Sequence, residues 1–477
     1  MIKYTKKLMT QAFESIVNAM DKVLPKTNDE GNIISRKAIE YTEEIITNSP
    51  IPIVAYAGRI WLYMDGVYLA IDSVAKSNNL IKMCIMKMDN VQFVSAKLIK
   101  NILEHMFLEY YELSPYEDSE VTYINMKSNV LALYNGGRVA LLSHDPKYNF
   151  TYRLPYDYDA EALSPVFDKF LATSLVDPQL IDVLGEYLGY ILNRNAKNHE
   201  KAFFAYGDGS NGKSTLINII KYMFGHENIS VIELTEMGDE TNCAMMDGKL
   251  LNISSDAKKS GLETSAFKKI VSGEPVIGKY LFKDKYTIEK LPKLFVATNK
   301  LPFNNGDNSF GFYRRLLLIP FTVTIQEEDK DYDLEAKVVE NELPALLNFA
   351  IEGMKRLASQ GQFTEAAAMK DALNSYKESA NHVSAFLEEE CYEEVPSESK
   401  TGTKLVDLYK DFNNWCRDRG HNSYNANYLS LELTHLGCIG YKNSSKHFRI
   451  VKRKLEKETG FKVMKNIEES PYGSLKK

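Results

Sequence analysis

The glycine-rich segment Gly207–Ser214, with the sequence GDGSNGKS, constrains the fold of this chain more than any other feature. It matches G-x-x-x-x-G-K-[ST], the phosphate-binding loop of nucleoside triphosphatases. Residues 202–206 (AFFAY) predict a short buried strand, and residues 214–224 (STLINIIKYMF) predict an amphipathic helix ended by Gly225. Strand, glycine loop and helix in this order predict a nucleotide-binding α/β domain.

The residues of the loop have distinct predicted roles. Glycines permit a tight turn, so that successive backbone N–H groups converge on phosphate oxygens. Lys213 is predicted to reach the β- and γ-phosphates, and Ser214 to offer its hydroxyl to Mg²⁺. The sequence thus predicts that ATP and Mg²⁺ bind at Gly207, Asp208, Gly209, Ser210, Asn211, Gly212, Lys213, Ser214 and Thr215.

Charge distinguishes the end of the chain from the rest. The 477 residues suggest about three domains and carry a net charge of −6. Residues 400–477 nevertheless hold 16 Lys and Arg against 8 Asp and Glu, after an acidic linker at 388–404. This end is predicted to meet a polyanion, with a solvated basic tail as the alternative.

Cysteine usage and hydropathy indicate the compartment. The five cysteines are far apart and form no C-x-x-C pair, which argues against a zinc ribbon or a disulfide framework. No apolar run approaches 18 residues, so the sequence predicts no membrane span. A cytoplasmic protein is expected, in a bacterial host.

Two further predicted strands end in polar side chains. The run at 250–256 (LLNISSD) ends at Asp256, which would hold Mg²⁺ or polarise the attacking water, the alternative being an ordinary strand-end carboxylate. The run at 294–299 (LFVATN) ends at Asn299, whose amide would hold the water or the γ-phosphate.

Two cationic features lie in the same region of the chain: an adjacent pair of arginines and a lysine-containing hairpin. Arg314 and Arg315 precede a buried strand, and one of them would act as an arginine finger on a neighbour, or both would form surface salt bridges. A predicted hairpin mixes cations with aromatics, a composition that suits single-stranded nucleic acid but on its own favours a solvent-exposed hairpin rich in lysine. Its residues of interest are Lys279, Tyr280, Phe282, Lys283 and Lys285.

The basic end of the chain has a predicted order of elements. Helices at Leu405–Arg417 and Tyr428–Leu436 precede a hairpin at Cys438–Val451 that carries Lys446 and Arg449. Helices followed by a basic hairpin predict a winged helix, with a small capping domain that has an incidental basic surface as the alternative.

The order of these motifs resembles that of the superfamily-three helicases, and most closely the phage and plasmid primase–helicase group, relatives of the poxvirus replication ATPase. The resemblance is carried by GDGSNGKST, the strand with an acidic end, FKKIVSGEPVIGKYLFK, LPKLFVATNKLP and FGFYRRLLLIPF, all within 200–325. It extends over residues 120–450.

The resemblance implies an α/β AAA+ nucleotide-binding core with a parallel central sheet. An α+β N-terminal region, a helical segment and a C-terminal winged-helix-like domain would flank it. It implies a homo-hexameric ring on single-stranded DNA, with the hairpin lysines in the central channel. The implied site residues are Lys213 and Ser214 at the nucleotide, Asp256 at the metal, Asn299 as sensor, and Arg314 or Arg315 as the neighbour's finger.

Six regions are predicted: 1–120, 121–199, 200–325, 326–390, 391–403 and 404–477. The chain departs from the family in having Asp256 in place of Glu or an acidic pair, which leaves the water-activating group open. Only 120 residues precede the resemblance, and the sequence DYD at 157–159 is predicted to be a loop, so no primase activity is expected.

The predicted function is an ATP-dependent replicative DNA helicase of a phage, plasmid or integrated island. Its partners would be single-stranded and forked DNA, with duplex origin DNA at the C-terminal domain. An origin-binding initiator that melts DNA, and an AAA+ remodelling or defence ATPase without a DNA role, are the alternatives.

Overall fold

The computed structural model describes residues 2–71, 73–89, 91–109, 118–194, 198–255, 264–280, 285–299, 301, 309–379, 382–390, 392–395, 401–419, 425–436, 438–443, 445–448 and 450–452. Asp256, Lys283 and Arg449, three of the predicted site residues, lie outside the described residues, as does Phe282. The chain forms two compact units, Met1–Ala380 and Asn381–Lys477. The domain boundaries predicted above stay predictions.

The first unit begins with helices packed around a three-stranded antiparallel sheet. A turn at Asp65 and Gly66, with φ of 51° and 82°, joins two of the strands in a hairpin. The elements are α1 Ile2–Ala19, α2 Ala38–Asn48, β1 Ile53–Tyr56, β2 Arg59–Met64, β3 Val67–Ala70, α3 Val74–Met88 and α4 Ala96–Glu109.

A second antiparallel sheet and two helices precede the nucleotide-loop region. These are β4 Val121–Asn125, β5 Val130–Tyr134, β6 Val139–Leu142, α5 Pro165–Ser174 and α6 Pro178–Leu192. Both helices begin at a proline, whose missing N–H costs nothing in a first turn. Asp157 lies in a loop, as predicted, where it accepts hydrogen bonds from Ser128 N at 2.8 Å and Ser128 Oγ at 2.9 Å.

The central part of the first unit is a five-stranded parallel sheet in the order β13-β7-β12-β9-β8. Its elements are β7 Ala202–Tyr206, α7 Lys213–Phe224, β8 Ile229–Ser230, α8 Glu240–Met246, β9 Leu251–Ser255, α9 Thr264–Ser272, β10 Val276–Lys279, β11 Lys285–Ile288, β12 Lys293–Thr298, α10 Phe310–Tyr313 and β13 Leu316–Pro320. The predicted strand and helix around the glycine loop are confirmed, and so is the parallel sheet.

Both faces of this sheet are buried, which explains why its strands are continuous apolar runs rather than alternating ones. Phe203 and Phe295 stack at 4.5 Å between ring centroids on one face. The neighbouring residues Phe204 and Val296 point to the other face, where they join Phe267.

Helices that precede and follow the loop region in sequence cover the face of the sheet that carries Phe203 and Phe295. After β13 come α11 Leu334–Asn341, α12 Leu343–Gln360 and α13 Ala367–Ser379. Helices α11 and α12 join the core on this face, whereas the buried residues of α13, Ala372 and Tyr376, join the core on the other face. Helix α12 lies directly on α6, because glycines allow the two backbones to touch: a Cβ atom on Gly353 would lie 2.1 Å from the carbonyl carbon of Gly185. A Cβ atom on Gly189 would lie 2.4 Å from Ala350 O.

The second unit consists of α14 His382–Glu389, β14 Tyr392–Glu394, β15 Thr403–Lys404, α15 Leu405–Asp418, α16 Ala426–His435, β16 Gly440–Asn443, β17 Ser445–Phe448 and β18 Ile450–Lys452. Strands β15, β17 and β16 form one sheet, and β14 pairs with β18. Its core joins Phe386, Phe412, Trp415 and Phe448.

No helix in the part of the chain that the structure describes is long and apolar enough to cross a membrane.

Candidate functional site

The predicted nucleotide-binding residues meet at the carboxyl end of the central sheet. The glycine loop follows β7, Ser255 ends β9, Asn299 follows β12 and Phe321 follows β13. Because the strands are parallel, all four positions lie at the same edge. Strand β12 lies between β7 and β9, so Asn299 is placed between the loop and the end of β9.

The loop conformation requires its glycines. Gly209 and Gly212 have φ of 105° and 87°, and Ser210 between them has φ of 46°. Gly212 also lies against α5, where a Cβ atom would be 2.8 Å from the Phe170 ring and 2.8 Å from Ser174 Oγ. The loop therefore depends on left-handed backbone and on close approach to the preceding helix, for which glycine is the suitable residue.

Asn211 and Lys213 hold the loop in shape from within. The Asn211 side chain donates to Phe321 O at 3.0 Å, which ties the loop to the end of β13. Lys213 Nζ donates to Gly207 O at 2.6 Å and to Asn211 Oδ1 at 2.8 Å. Burial lowers the pKa of Lys213, while the nearby Asp208 carboxylate opposes that shift. Among the described residues, Lys213 contacts only neutral oxygens, so its ammonium is suited to an incoming anion.

Two cavities adjoin the loop region. One, of about 640 Å³, is lined by Tyr206, Asp208, Asn299, Thr322 and Tyr376, among others. The other, of about 380 Å³, is lined by Phe170, Thr215, Ile325, Tyr332 and Glu335, among others. Ile325 N donates to Ser210 O at 2.8 Å, so the chain after β13 is tied to the loop.

The residues present fit ATP and Mg²⁺. The loop offers backbone N–H groups, a buried lysine and the exposed hydroxyl of Ser214 at the start of α7. No group of three or more His, Cys, Asp or Glu side chains among the described residues could hold a metal.

A second acid near the end of β9 was not predicted from the sequence. Glu233 follows β8, and its Oε2 accepts a hydrogen bond from Ser254 Oγ at 2.5 Å. Strand β8 is three positions from β7, about 14 Å at ~4.8 Å per strand, so Glu233 does not adjoin the loop. It supports the strand end that leads to Asp256.

Arg314 and Arg315 lie at the opposite end of the sheet from the loop. They precede β13, whose first residue pairs with Ala202 and whose last pairs with Tyr206. Five residues of strand span about 16 Å, so these arginines are remote from the loop of their own protomer. The Arg315 side chain is 10% exposed and donates to Ser272 Oγ and Gly311 O, whereas the Arg314 side chain is 38% exposed.

The predicted hairpin forms from β10 and β11. Lys279 faces Lys285 directly across the strands, so Lys285 belongs to a strand of the hairpin. Lys285 Nζ lies 2.5 Å from Glu240 Oε1. Tyr280 stacks on Tyr286 at 5.5 Å between centroids and accepts a hydrogen bond from Arg59 at 3.2 Å, so its ring is engaged within the fold.

The basic hairpin of the second unit is present as β16 and β17. Exposed Lys446 donates to Ser430 Oγ, and its Nζ lies 5.5 Å from the Phe448 ring centroid. The exposed described side chains of α16 are Asn427, Leu431 and Thr434, none of which is charged.

Comparisons with known proteins bear on parts of this arrangement. A family described as a family of unknown function (DUF5906) matches residues 205–315. A protein of Acanthamoeba polyphaga mimivirus named as a "putative helicase" is 29% identical over 147 residues, which is 28% of this chain and 15% of that protein.

Solved structures give a looser likeness. An A-form apo structure of the NrS-1 C-terminal region has a TM-score of 0.48 at 12% identity and covers 87% of this chain and 100% of its own. Another apo structure of that region has a TM-score of 0.46 at 13% identity, with 88% and 100% covered. At these scores the likeness carries no argument about function.

Proposed function

We propose that this protein hydrolyses ATP with Mg²⁺ at the carboxyl end of its central sheet. Lys213 and the loop N–H groups would hold the β- and γ-phosphates, and Ser214 would hold the metal. Asn299 would orient the water or the γ-phosphate, since it lies one strand from the loop. Asp256, directly after β9, would act on the metal side.

The two cavities suit the two ends of ATP. The γ-phosphate would face the cavity of about 640 Å³ at Asn299. The ribose and base would extend past Thr215 into the cavity of about 380 Å³, beside the Phe170 and Tyr332 rings. Aromatic walls suit a planar base, and polar groups at the loop suit the charged end.

The separation of the glycine loop from the arginine pair supports a ring of protomers. The loop and the arginine pair lie at opposite ends of the same parallel sheet, about 16 Å apart along β13. Within one protomer they cannot serve one phosphate. In a closed ring of identical protomers, a heterologous contact repeats, so each carboxyl end would receive an arginine from its neighbour. This supports an AAA+ motor of the superfamily-three type, with Arg314 as the finger.

The DNA-contacting surfaces are also proposed. Lys279 and Lys285, paired across the hairpin, would contact the phosphate backbone of a single strand in the central channel. The second unit has a helix, two strands, two helices and a hairpin in sequence, which supports a winged-helix-like module for duplex DNA through Lys446 and Arg449. The proposed role is a replicative helicase of a mobile element.

An origin-binding initiator is the second candidate. It would depend on duplex recognition by the second unit, yet the exposed described side chains of α16 carry no charge. This favours the helicase. A protein remodeller or defence ATPase is the third candidate, and it would hydrolyse ATP at the same rate with or without DNA.

Unwinding of a forked DNA by the wild type, with particle size measured in parallel, tests the proposal. We expect a ring-sized particle, ATPase stimulation by single-stranded DNA, and loss of unwinding in Lys213→Ala. Lys221→Ala, in the last turn of the same helix, is the matched control. A monomer with full ATPase activity under all nucleotide and DNA conditions would contradict the ring, and duplex footprints without unwinding would favour the initiator.

A further inference from the structure

The two adjacent arginines have different surroundings. Arg315 is buried, and its Nε and Nη2 donate to Ser272 Oγ at 3.1 Å and 2.6 Å. Its Nη1 donates to Gly311 O. Ser272 is the last residue of α9, so the guanidinium of Arg315 is fixed to the body of the protomer. The Arg314 side chain is more exposed and extends from this fixed neighbour.

One carboxylate connects the pair. Glu200 Oε2 accepts a hydrogen bond from Arg314 Nη2 and lies 3.1 Å from Arg315 Nη2. Glu200 has φ of 53°, a conformation that few non-glycine residues adopt, and it lies two residues before β7. Lys201 Nζ donates to Arg314 O at 2.6 Å, which fixes the backbone of the same arginine. Side chain and backbone of Arg314 are therefore both held by residues 200–201.

We propose that Glu200 is a positioning residue that directs Arg314 toward the phosphates bound by the neighbouring protomer, with Arg315 as its anchor. This inference rests on the proposed function, in which Arg314 acts across the interface. One carboxylate between two guanidiniums leaves the cluster net positive, so it still attracts phosphate. A guanidinium that is already oriented loses less rotamer freedom when it meets the neighbour's phosphate.

Mixed assemblies test this role, because they separate the protomer that donates the arginine from the one that holds the nucleotide. Lys213→Ala protomers keep the arginine pair but lack the loop lysine. Arg314→Ala protomers keep the loop but lack the arginine. A one-to-one mixture should regain DNA-stimulated ATPase activity that neither variant shows alone, since some interfaces then combine an intact loop with an intact arginine.

Glu200→Gln is then added to one partner at a time. In the Lys213→Ala donor, it should lower the regained kcat by at least about tenfold, with KM for ATP unchanged. In the Arg314→Ala acceptor, the same substitution should leave the regained activity as it was, and this arm also shows that the variant folds and assembles. Glu200→Asp in the donor, which keeps the charge, should restore part of the lost kcat.

Two outcomes would overturn the inference. Equal losses in the donor and acceptor arms would make Glu200 a structural residue without a role in directing Arg314. Failure of the parent mixture, Lys213→Ala with Arg314→Ala, to regain activity would refute the trans arginine of the proposed function itself, and the inference would fall with it. The parent mixture thus distinguishes the two failures.

Discussion

Lys213 and Lys293 lie at opposite ends of the central sheet and share an unusual chemistry. Burial lowers the pKa of both ammonium groups, that of Lys293 to about 7, where Arg194 and Lys290 add to the shift. Neither has an ion pair with a carboxylate among the described residues. Lys213 belongs to a loop that borders a cavity, whereas Lys293 donates to Tyr190 OH at 2.7 Å and Asn198 Oδ1 at 3.1 Å beneath an aromatic ring.

The comparison shows that a lowered lysine pKa does not by itself indicate a ligand site. At the carboxyl end, the glycine loop supplies backbone donors and space for an anion. At the amino end, a tyrosine and an asparagine occupy that space, and the arginines there face outward or into the protomer. The two ends would be catalytically complementary only when they come from different protomers.

The largest expected effect comes from removing the arginine at the amino end of the central sheet. Arg314→Ala should lower DNA-stimulated kcat by roughly 10³-fold, because an arginine finger stabilises charge that develops in phosphoryl transfer. Steady-state ATPase assays at saturating DNA would measure it. Arg138→Ala, an exposed arginine in the β5–β6 turn, is the control. A loss below about tenfold with assembly intact would remove Arg314 from the reaction.

Removing the loop lysine at the carboxyl end of the central sheet should lower the rate slightly less. Lys213→Ala should lower kcat/KM by roughly 10²- to 10³-fold, the usual consequence of removing one preorganised group that stabilises charge. Nucleotide binding, followed with a fluorescent ATP analogue, should weaken as well. Lys221→Ala should leave both unchanged, and a Lys213→Ala protein with normal binding and turnover would place the nucleotide elsewhere.

Arg315→Ala separates stability from catalysis at the amino end. Its removal would leave Ser272 and Glu200 without their buried partner, so we expect a loss of about 2 to 3 kcal/mol in the free energy of unfolding. Arg314→Ala, which breaks a more exposed pair, should cost less than about 1 kcal/mol. Urea denaturation of both variants would measure the difference, and equal losses would contradict the assignment of Arg315 as the anchor.

The smallest effect concerns Lys293 and pH. Its folded pKa of about 7 lies below the value of an unfolded lysine, so the unfolded chain binds more protons between these values. This lysine should therefore make the protein more stable as pH rises above 7, by up to about 1.4 kcal/mol per pH unit. Lys293→Met should flatten that dependence in urea denaturation at pH 7 and 9. An unchanged slope would mean that Lys293 titrates normally.

The sequence predicted the carboxyl end of the sheet far better than the amino end. The loop has a contiguous motif, and the rule that parallel strands end at one edge places Asn299 beside it. Glu200, Ser272 and Arg315 come together only because β13 lies next to β7, and they are 43 to 115 residues apart in sequence. No local pattern signals that contact. Glu233 was missed for the same reason.

The second unit shows what local pattern can and cannot supply. The predicted helix at Leu405–Arg417 is observed at Leu405–Asp418, and the predicted hairpin appears as β16 and β17, because amphipathic helical spacing and Asn/Ser turn residues are local signals. The sequence did not show that α14 packs within this unit, where the Phe386 ring contacts the Trp415 ring. Whether Lys446 contacts DNA stays a prediction.

The glycine contact between α6 and α12 sets the smallest fragment that can be expected to fold. These helices come from either side of the loop region in sequence, yet they cover the sheet face that carries Phe203 and Phe295. A fragment limited to 200–325 would present that face to water. A fragment that contains the nucleotide loop should therefore begin before residue 165 and continue past residue 360, and a shorter piece should aggregate however complete its motifs are.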